Sequence, residues 1–101
     1  MEASYAVKWR EPGGRTFLGR LELAPPGLVL EGRNGGEAAV RRTIDVEDVR
    51  SFRFDEKAEE RVDGRPTLVV ERTGGALLVT SALVHTGVLQ ELLHRLAGLG
   101  F

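Results

Sequence analysis

Double-glycine turns divide this chain into strand-like segments and leave one helical segment at its end. The pairs are Gly13-Gly14, Gly35-Gly36 and Gly74-Gly75. Glycine adopts positive φ at little steric cost, so such pairs are typical of tight turns between strands. Strands first and one helix last predict a mainly β (α+β) fold, a barrel or sandwich capped by one C-terminal α-helix.

Alternation of apolar and polar side chains predicts seven antiparallel strands. In the first strand Tyr5, Val7 and Trp9 alternate with small or charged neighbours, which places the large apolar groups on one face. We predict the strands near residues 5–10, 17–23, 28–31, 38–44, 51–54, 67–72 and 76–80. Pro25 and Pro26 separate the second strand from the third, because proline has no N–H to donate to a ladder.

Three connections have informative sequences. Asn34-Gly35 predicts a type I′ turn between the third and fourth strands, since both residues tolerate positive φ. Asp45-Val46-Glu47-Asp48 predicts a polar corner, and residues 55–65 are expected to form a long exposed loop. Residues 45–63 hold eight acidic and four basic groups. This charge indicates either a solvated loop, which is favoured, or a surface that attracts a basic partner.

The C-terminal segment has the period of an amphipathic helix. Its apolar stripe consists of Val84, Val88, Leu89, Leu92, Leu93 and Leu96. We predict a helix over residues 83–97, capped at its start by Ser81 or Thr86. Gly98 and Gly100 are expected to provide a left-handed C-terminal exit.

Composition favours one small domain, residues 1–101. A formal net charge of -1 argues against a general nucleic-acid binder. The N-terminus does not resemble a secretory leader, and no run of about 18 apolar residues occurs, so we expect no transmembrane segment and a cytoplasmic location. Of the 14 basic residues all but Lys8 and Lys57 are arginine, a bias typical of a GC-rich bacterial genome.

Several segments resemble bacterial pleckstrin-homology-like (PH-like) and GRAM-like domains. They are residues 19–23, 27–30, 44–49 and 66–70, with the sequences Gly-Arg-Leu-Glu-Leu, Gly-Leu-Val-Leu, Ile-Asp-Val-Glu-Asp-Val and Pro-Thr-Leu-Val-Val. The resemblance covers nearly the whole chain and includes the long loop between strands five and six. It implies a seven-stranded PH-like barrel. The tryptophan common in the final helix of eukaryotic members is absent, and Trp9 lies in the first strand instead.

The same resemblance implies a ligand pocket among the loops that join strands one to two, three to four and six to seven. The basic residues that flank these loops are Lys8, Arg10, Arg15, Arg33 and Arg72. Guanidinium groups and free amides are good phosphate donors, so these residues form a candidate anion-binding rim. The favoured interpretation is that they are solvated cations beside glutamates, because mixed surface charge is ordinary for a soluble domain.

No residue pattern indicates catalysis, a metal site or a cofactor. His85 and His94 are nine residues apart, which places them on opposite faces of one helix. The chain has no cysteine, P-loop, HExxH or dinucleotide-binding sequence. We therefore expect that the protein is not an enzyme and holds no cofactor.

The sequence favours a non-catalytic binding module that recognises a protein or peptide partner. Its docking surface would be a sheet edge or the groove beside the helix. The alternative is a binder of an anionic ligand or lipid headgroup that uses the rim of arginines. Neither the identity of the partner nor the oligomeric state follows from these residues.

Overall fold

A computed structural model describes residues 3–24, 27–35, 38–82 and 87–98 of the chain. Its strands and helix are β1 (Ala3–Arg10), β2 (Thr16–Ala24), β3 (Gly27–Arg33), β4 (Val40–Asp45), β5 (Val49–Phe54), β6 (Leu68–Arg72), β7 (Gly75–Ser81) and α1 (Gly87–Ala97). Short 3₁₀ turns form at Val46–Asp48, Ala58–Glu60 and Val62–Gly64. The predicted mainly β fold with seven antiparallel strands and a C-terminal helix is confirmed.

The strands form one sheet in the order β4-β3-β2-β1-β7-β6-β5. β1 lies at its centre and pairs with β2 along its whole length and with β7 over Val7–Arg10. β4 and β5 are the edges of the sheet, yet only the Val46–Asp48 turn separates them in sequence. The sheet therefore coils into a barrel, and within the described residues no ladder closes it between β4 and β5.

The inner face of the sheet and the helix enclose the core. Side chains alternate along β1, so Val7 and Trp9 are buried in the barrel while Lys8 and Arg10 lie on its outer face. The core consists of Val7, Trp9, Leu21, Leu28, Leu30, Ile44, Leu68, Val70, Leu77, Val79, Leu89, Leu92 and Leu96. The three leucines of α1 come from the predicted apolar stripe, which therefore packs against the sheet.

Two glycines bring β2 and β3 close together beside Trp9. Gly19 and Gly32 are directly opposed in the ladder, and a Cβ on Gly19 would lie 1.9 Å from the carbonyl oxygen of Glu31. A Cβ on Gly32 would lie 2.8 Å from the indole nitrogen of Trp9. The indole ring also stacks on Phe17, with ring centroids 4.6 Å apart. The two glycines thus make room for the indole, as expected where a barrel bends tightly.

The β3–β4 connection differs from the predicted type I′ turn. Gly35 has a φ of 63°, as expected, but Asp63 is the only non-glycine residue with positive φ in the described part of the chain. Asn34 therefore lacks the positive φ that a type I′ turn requires. Its side-chain amide instead donates to the carbonyl of Thr16 at 2.8 Å. The prediction was wrong because this contact with β2 favours a longer loop, which ends where β4 begins at Val40.

The β5–β6 loop, residues 55–67, is more ordered and more buried than the exposed loop expected for residues 55–65. It forms two 3₁₀ turns, the second of which contacts β1 and β7, and it buries Val62 completely. The backbone N–H of Val62 donates to Thr67 Oγ1 at 2.9 Å, and Thr80 Oγ1 donates to the carbonyl of Pro66 at 2.7 Å. Most of residues 55–65 are exposed, as expected. Val62 is the exception, because the loop packs on the outer face of the sheet, where Val69 is also fully buried.

The structure describes the C-terminal end of the predicted helix but not residues 83–86 at its start. Ser81 is the last residue of β7 and is buried, and the helix start that it was predicted to cap lies outside the described residues. Gly98 lacks positive φ, which overturns the left-handed exit predicted there; its N–H instead continues the helical hydrogen bonding by donating to the carbonyl of His94 at 3.2 Å. Predictions for Pro25, Pro26, Gly36, Val84, His85, Thr86 and Gly100 concern residues outside the described ones.

Candidate functional site

Three glycine-containing connections lie at one end of the barrel. The β1–β2 and β3–β4 loops share an end because neighbouring strands run in opposite directions. The β6–β7 turn lies beside the first of them, since a Cβ on Gly75 would be 2.6 Å from Cγ of Pro12. A hydrogen bond of 2.9 Å from the N–H of Gly14 to the carbonyl of Glu11 closes the β1–β2 loop. The loops that the resemblance pointed to are thus neighbours.

Glu11 links two arginines at this end of the barrel. Its Oε1 lies 2.7 Å from Nε of Arg42 in β4, and its Oε2 lies 3.5 Å from a guanidinium nitrogen of Arg72 in β6. Arg42 lies two residues before the core residue Ile44, and Arg72 lies two residues after the core residue Val70. Since every second side chain of a strand points to the same face, both arginines belong to the inner face. Nε of Arg72 is buried and has no hydrogen-bond partner among the described residues. One carboxylate therefore joins two strands on opposite sides of β1.

The β5–β6 loop holds two of the predicted anion ligands on the outer face of β1. Nζ of Lys8 lies 2.9 Å from Oδ2 of Asp63, and Arg10 donates to the carbonyl of Glu59 at 3.5 Å. The Lys8 ammonium holds the pKa of the Asp63 carboxyl below its ordinary value of 3.8. Asp63 has a φ of 55°, a left-handed conformation that is unfavourable for most residues with a side chain. Lys8 and Arg10 are therefore engaged within the protein.

Arg53 binds Glu60 of this loop and Glu71 of β6. Its guanidinium donates to both carboxylate oxygens of Glu60 and, at 3.0 Å, to Oε1 of Glu71. Together with the backbone N–H groups of Glu56 and Lys57, Arg53 lowers the pKa of Glu60 to about 2. It also lowers the pKa of Glu71. Less of the loop's negative charge is thus available to a basic partner.

Asp55 holds the two ends of the loop together. Its carboxylate accepts a hydrogen bond of 2.7 Å from Nε of Arg61 and one of 2.9 Å from the backbone N–H of Thr67. These two bonds lower the pKa of Asp55, whose side chain is only 7% exposed. The carboxylate therefore connects the start of the loop to its middle and to its end.

The five predicted anion ligands are distributed over different parts of the barrel. Lys8 and Arg10 lie on the outer face under the β5–β6 loop, whereas Arg72 lies on the inner face against Glu11. Arg33 is exposed at the end of β3, and Arg15 is exposed in the β1–β2 loop. The fold brings the three loops together without directing these five charges to one point. Anion binding by this set stays a prediction.

A shallow depression of about 420 Å³ lies on the outer face of β2 and β3. Its lining residues are Leu18, Gly19, Arg20, Glu31, Gly32, Arg33 and Ala39. Leu18 is 56% exposed, and its cross-strand neighbours are Lys8 in β1 and Arg33 in β3. The sequence pattern predicts no role for Leu18. The available signal was a leucine on the otherwise polar face of the second strand.

The two arginines of this depression differ in their pairing. Arg20 contacts Glu22 at 3.0 Å and Glu31 at 3.4 Å. Arg33 is exposed and forms no ion pair with any residue that the structure describes. An exposed leucine beside a guanidinium that pairs with none of the described carboxylates can contact a segment that presents an apolar side chain next to a carboxylate.

The described residues contain neither a metal-binding cluster nor a membrane-spanning helix. Among the described residues no group of three His, Cys, Asp or Glu side chains is placed to hold a metal ion. His94 is exposed on α1. In the same part of the chain no helix has the length and apolar character needed to cross a bilayer.

Comparisons with protein-family models, with curated proteins and with solved structures found no match to this chain. The resemblance to PH-like domains therefore depends on the sequence pattern and the order of elements, and it stays a prediction.

Proposed function

We propose that this protein is a non-catalytic interaction module of the PH-like type and that it binds a protein or peptide partner at Leu18 and Arg33. The observation that carries the proposal is the 56% exposure of Leu18 beside an arginine without an ion-pair partner among the described residues. Covering an exposed leucine is favourable by about 25 cal/mol for each Å² of apolar surface removed from water. The exposed part of Leu18 gains this energy only when a partner covers it.

The chemistry of the depression defines the kind of partner. Leu18 supplies an apolar contact, and Arg33 supplies a guanidinium that can form a bidentate bond with a carboxylate. Arg20 is already satisfied by Glu22 and Glu31, so it contributes little new charge. We expect a partner segment with an aliphatic or aromatic side chain next to an aspartate or glutamate.

The alternative function, binding of an anionic ligand or lipid headgroup, has less support. It needs Lys8, Arg10 and Arg72 to be available, yet Asp63, the carbonyl of Glu59 and Glu11 engage them. It also gives no role to Leu18. We keep it as the competing hypothesis.

Selection of random peptides displayed against the full chain tests the proposal. We expect the enriched peptides to share an acidic residue adjacent to a large apolar one. Their affinity should fall by about tenfold or more in Leu18→Ser and in Arg33→Gln. Arg50→Gln is the matched control, because Arg50 is exposed on β5, the edge strand that is farthest from β2 and β3 in the strand order. Absence of enrichment, or peptides that bind both site variants normally, would overturn the proposal.

A further inference from the structure

The outer edge of β4 is regular and has no partner strand among the described residues. β4 pairs with β3 from Gly27↔Asp45 to Gly32↔Val40 without a register shift, and it ends the strand order. Three successive residues, Arg41, Arg42 and Thr43, are exposed. The opposite edge differs, because β5 has a register shift between Val49 and Ser51. Bulges of this kind protect an edge against pairing, and β4 has none.

The outer face of β4 carries a positive charge near the start of the strand and a negative charge at its end. Ile44 is buried in the core, so the alternating residues Arg41, Thr43 and Asp45 lie on the outer face. The side chain of Arg41 is 66% exposed and contacts Glu31 at 3.2 Å. Asp45 is exposed and forms no ion pair with the residues described. The cation of Arg41 thus lies two positions before Thr43, and the anion of Asp45 lies two positions after it.

The charges of one β4 strand are complementary to those of a second β4 strand that runs antiparallel to it. When two copies of β4 run antiparallel about a two-fold axis at Thr43, each Thr43 faces the other, and each Arg41 faces Asp45 of the second copy. Opposite charges at directly opposed positions stabilise a strand pair. A register shifted to place the axis at Arg42 would instead oppose two arginines, which is unfavourable.

We propose that β4 pairs with β4 of a second copy of this chain, so that the protein forms a two-fold symmetric dimer with one sheet continuous across both barrels. The interface is isologous, as in most homodimers. A single six-residue strand buries little surface, so the dimer belongs to the class below about 1,200 Å², which is typical of weak and reversible association. The proposal does not depend on docking at Leu18, which lies in β2 and stays open.

Sedimentation equilibrium of the full chain over a wide concentration range tests this dimer. The wild type should show a reversible monomer–dimer equilibrium. Asp45→Arg places two cations opposite each other and should weaken dimerisation by about tenfold or more. Glu47→Arg, an equal charge change at an exposed residue outside β4, should leave the equilibrium unchanged. Urea denaturation checks that each variant is folded.

Mixing two variants gives a result that misfolding cannot imitate. Arg41→Asp chains carry two acidic residues at the interface and Asp45→Arg chains carry two basic ones, so each alone should be monomeric. Together they restore both opposite-charge pairs and should form a heterodimer. A wild type that stays monomeric at every concentration, an Asp45→Arg variant that dimerises normally, or a mixture without heterodimer would overturn the proposal.

Discussion

The indole N–H of Trp9 in β1 donates to the backbone carbonyl of Glu31 in β3, 3.1 Å away, although β2 lies between these strands in the sheet. The contact is possible because Gly19 and Gly32 have no side chains at this point. It links β1 to β3 across β2, beneath the depression that contains Leu18.

Gly32→Ala tests this packing. The new methyl group would lie 2.8 Å from the indole nitrogen and 2.9 Å from Cβ of Phe17, so the stacked rings must move. We expect a loss of about 1–3 kcal/mol in the free energy of unfolding, as is typical of an overpacked core. Gly87→Ala is the control, because a Cβ there meets nothing within 4 Å and alanine favours a helix. Urea denaturation measures both, and equal effects would contradict the packing described.

Leu92→Ala tests the role of the helix. Leu92 is fully buried in the core between α1 and the sheet. Removing its side chain should lower the free energy of unfolding by about 2–5 kcal/mol. Gln90→Ala, at an exposed position of the same helix, should change it by less than about 0.5 kcal/mol. A Leu92→Ala effect as small as that of the control would show that the helix does not pack as described.

Gly35→Val tests the β3–β4 loop. Gly35 has a φ of 63°, and a Cβ there would meet open space, so the effect comes from backbone conformation and not from a clash. We expect a destabilisation of about 1–2 kcal/mol by thermal or chemical unfolding. Glu59→Ala in the β5–β6 loop should stay within about 0.5 kcal/mol, because the contact of Glu59 with Arg10 uses its carbonyl. A larger destabilisation by Glu59→Ala than by Gly35→Val would contradict the backbone conformation of Gly35 and the carbonyl contact of Glu59.

The pairing of Arg53 with Glu60 should make stability depend on pH. The pKa of Glu60 falls from an ordinary 4.5 to about 2 in the folded protein, so the folded state favours the charged carboxylate. The resulting stabilisation is fully present above the unfolded value and is lost as the pH falls toward 2. Glu60→Gln should therefore be less stable than wild type near neutral pH, and the difference should shrink on acidification. Glu56→Gln, 72% exposed, is the control; a difference independent of pH would contradict the pairing.

The strands and the helix were predictable because each buries one face. Tyr5, Val7 and Trp9 alternate with outward residues, and the leucines of α1 recur at a helical period, so local sequence carries the information. The packing of the β5–β6 loop on the sheet was not predictable from its own residues, since Val62 is its single large apolar side chain. A signal existed elsewhere: Leu68, Val69 and Val70 form a continuous apolar run, which is typical of a strand covered on both faces.

The candidate site was less predictable than the fold. The sequence gives the positions of Lys8, Arg10 and Arg72, but their partners come from segments far away in the chain, which local patterns do not reveal. The significance of Leu18 depends on its exposure, because an outward leucine in a strand is ordinary when another segment covers it. Only the three-dimensional arrangement shows which outward apolar residues stay uncovered.

We propose that Leu18 and Arg33 together recognise a partner segment. The most direct measurement follows backbone amide chemical shifts of the full chain during titration with a selected peptide, and separately with an inositol phosphate. We predict that the peptide perturbs the amides around Leu18, Arg33 and Ala39, and that Leu18→Ser abolishes these changes. Peptide shifts that persist in Leu18→Ser, or inositol phosphate binding that Arg15→Ala/Arg33→Ala removes while no peptide binds, would contradict the claim and favour the anion binder.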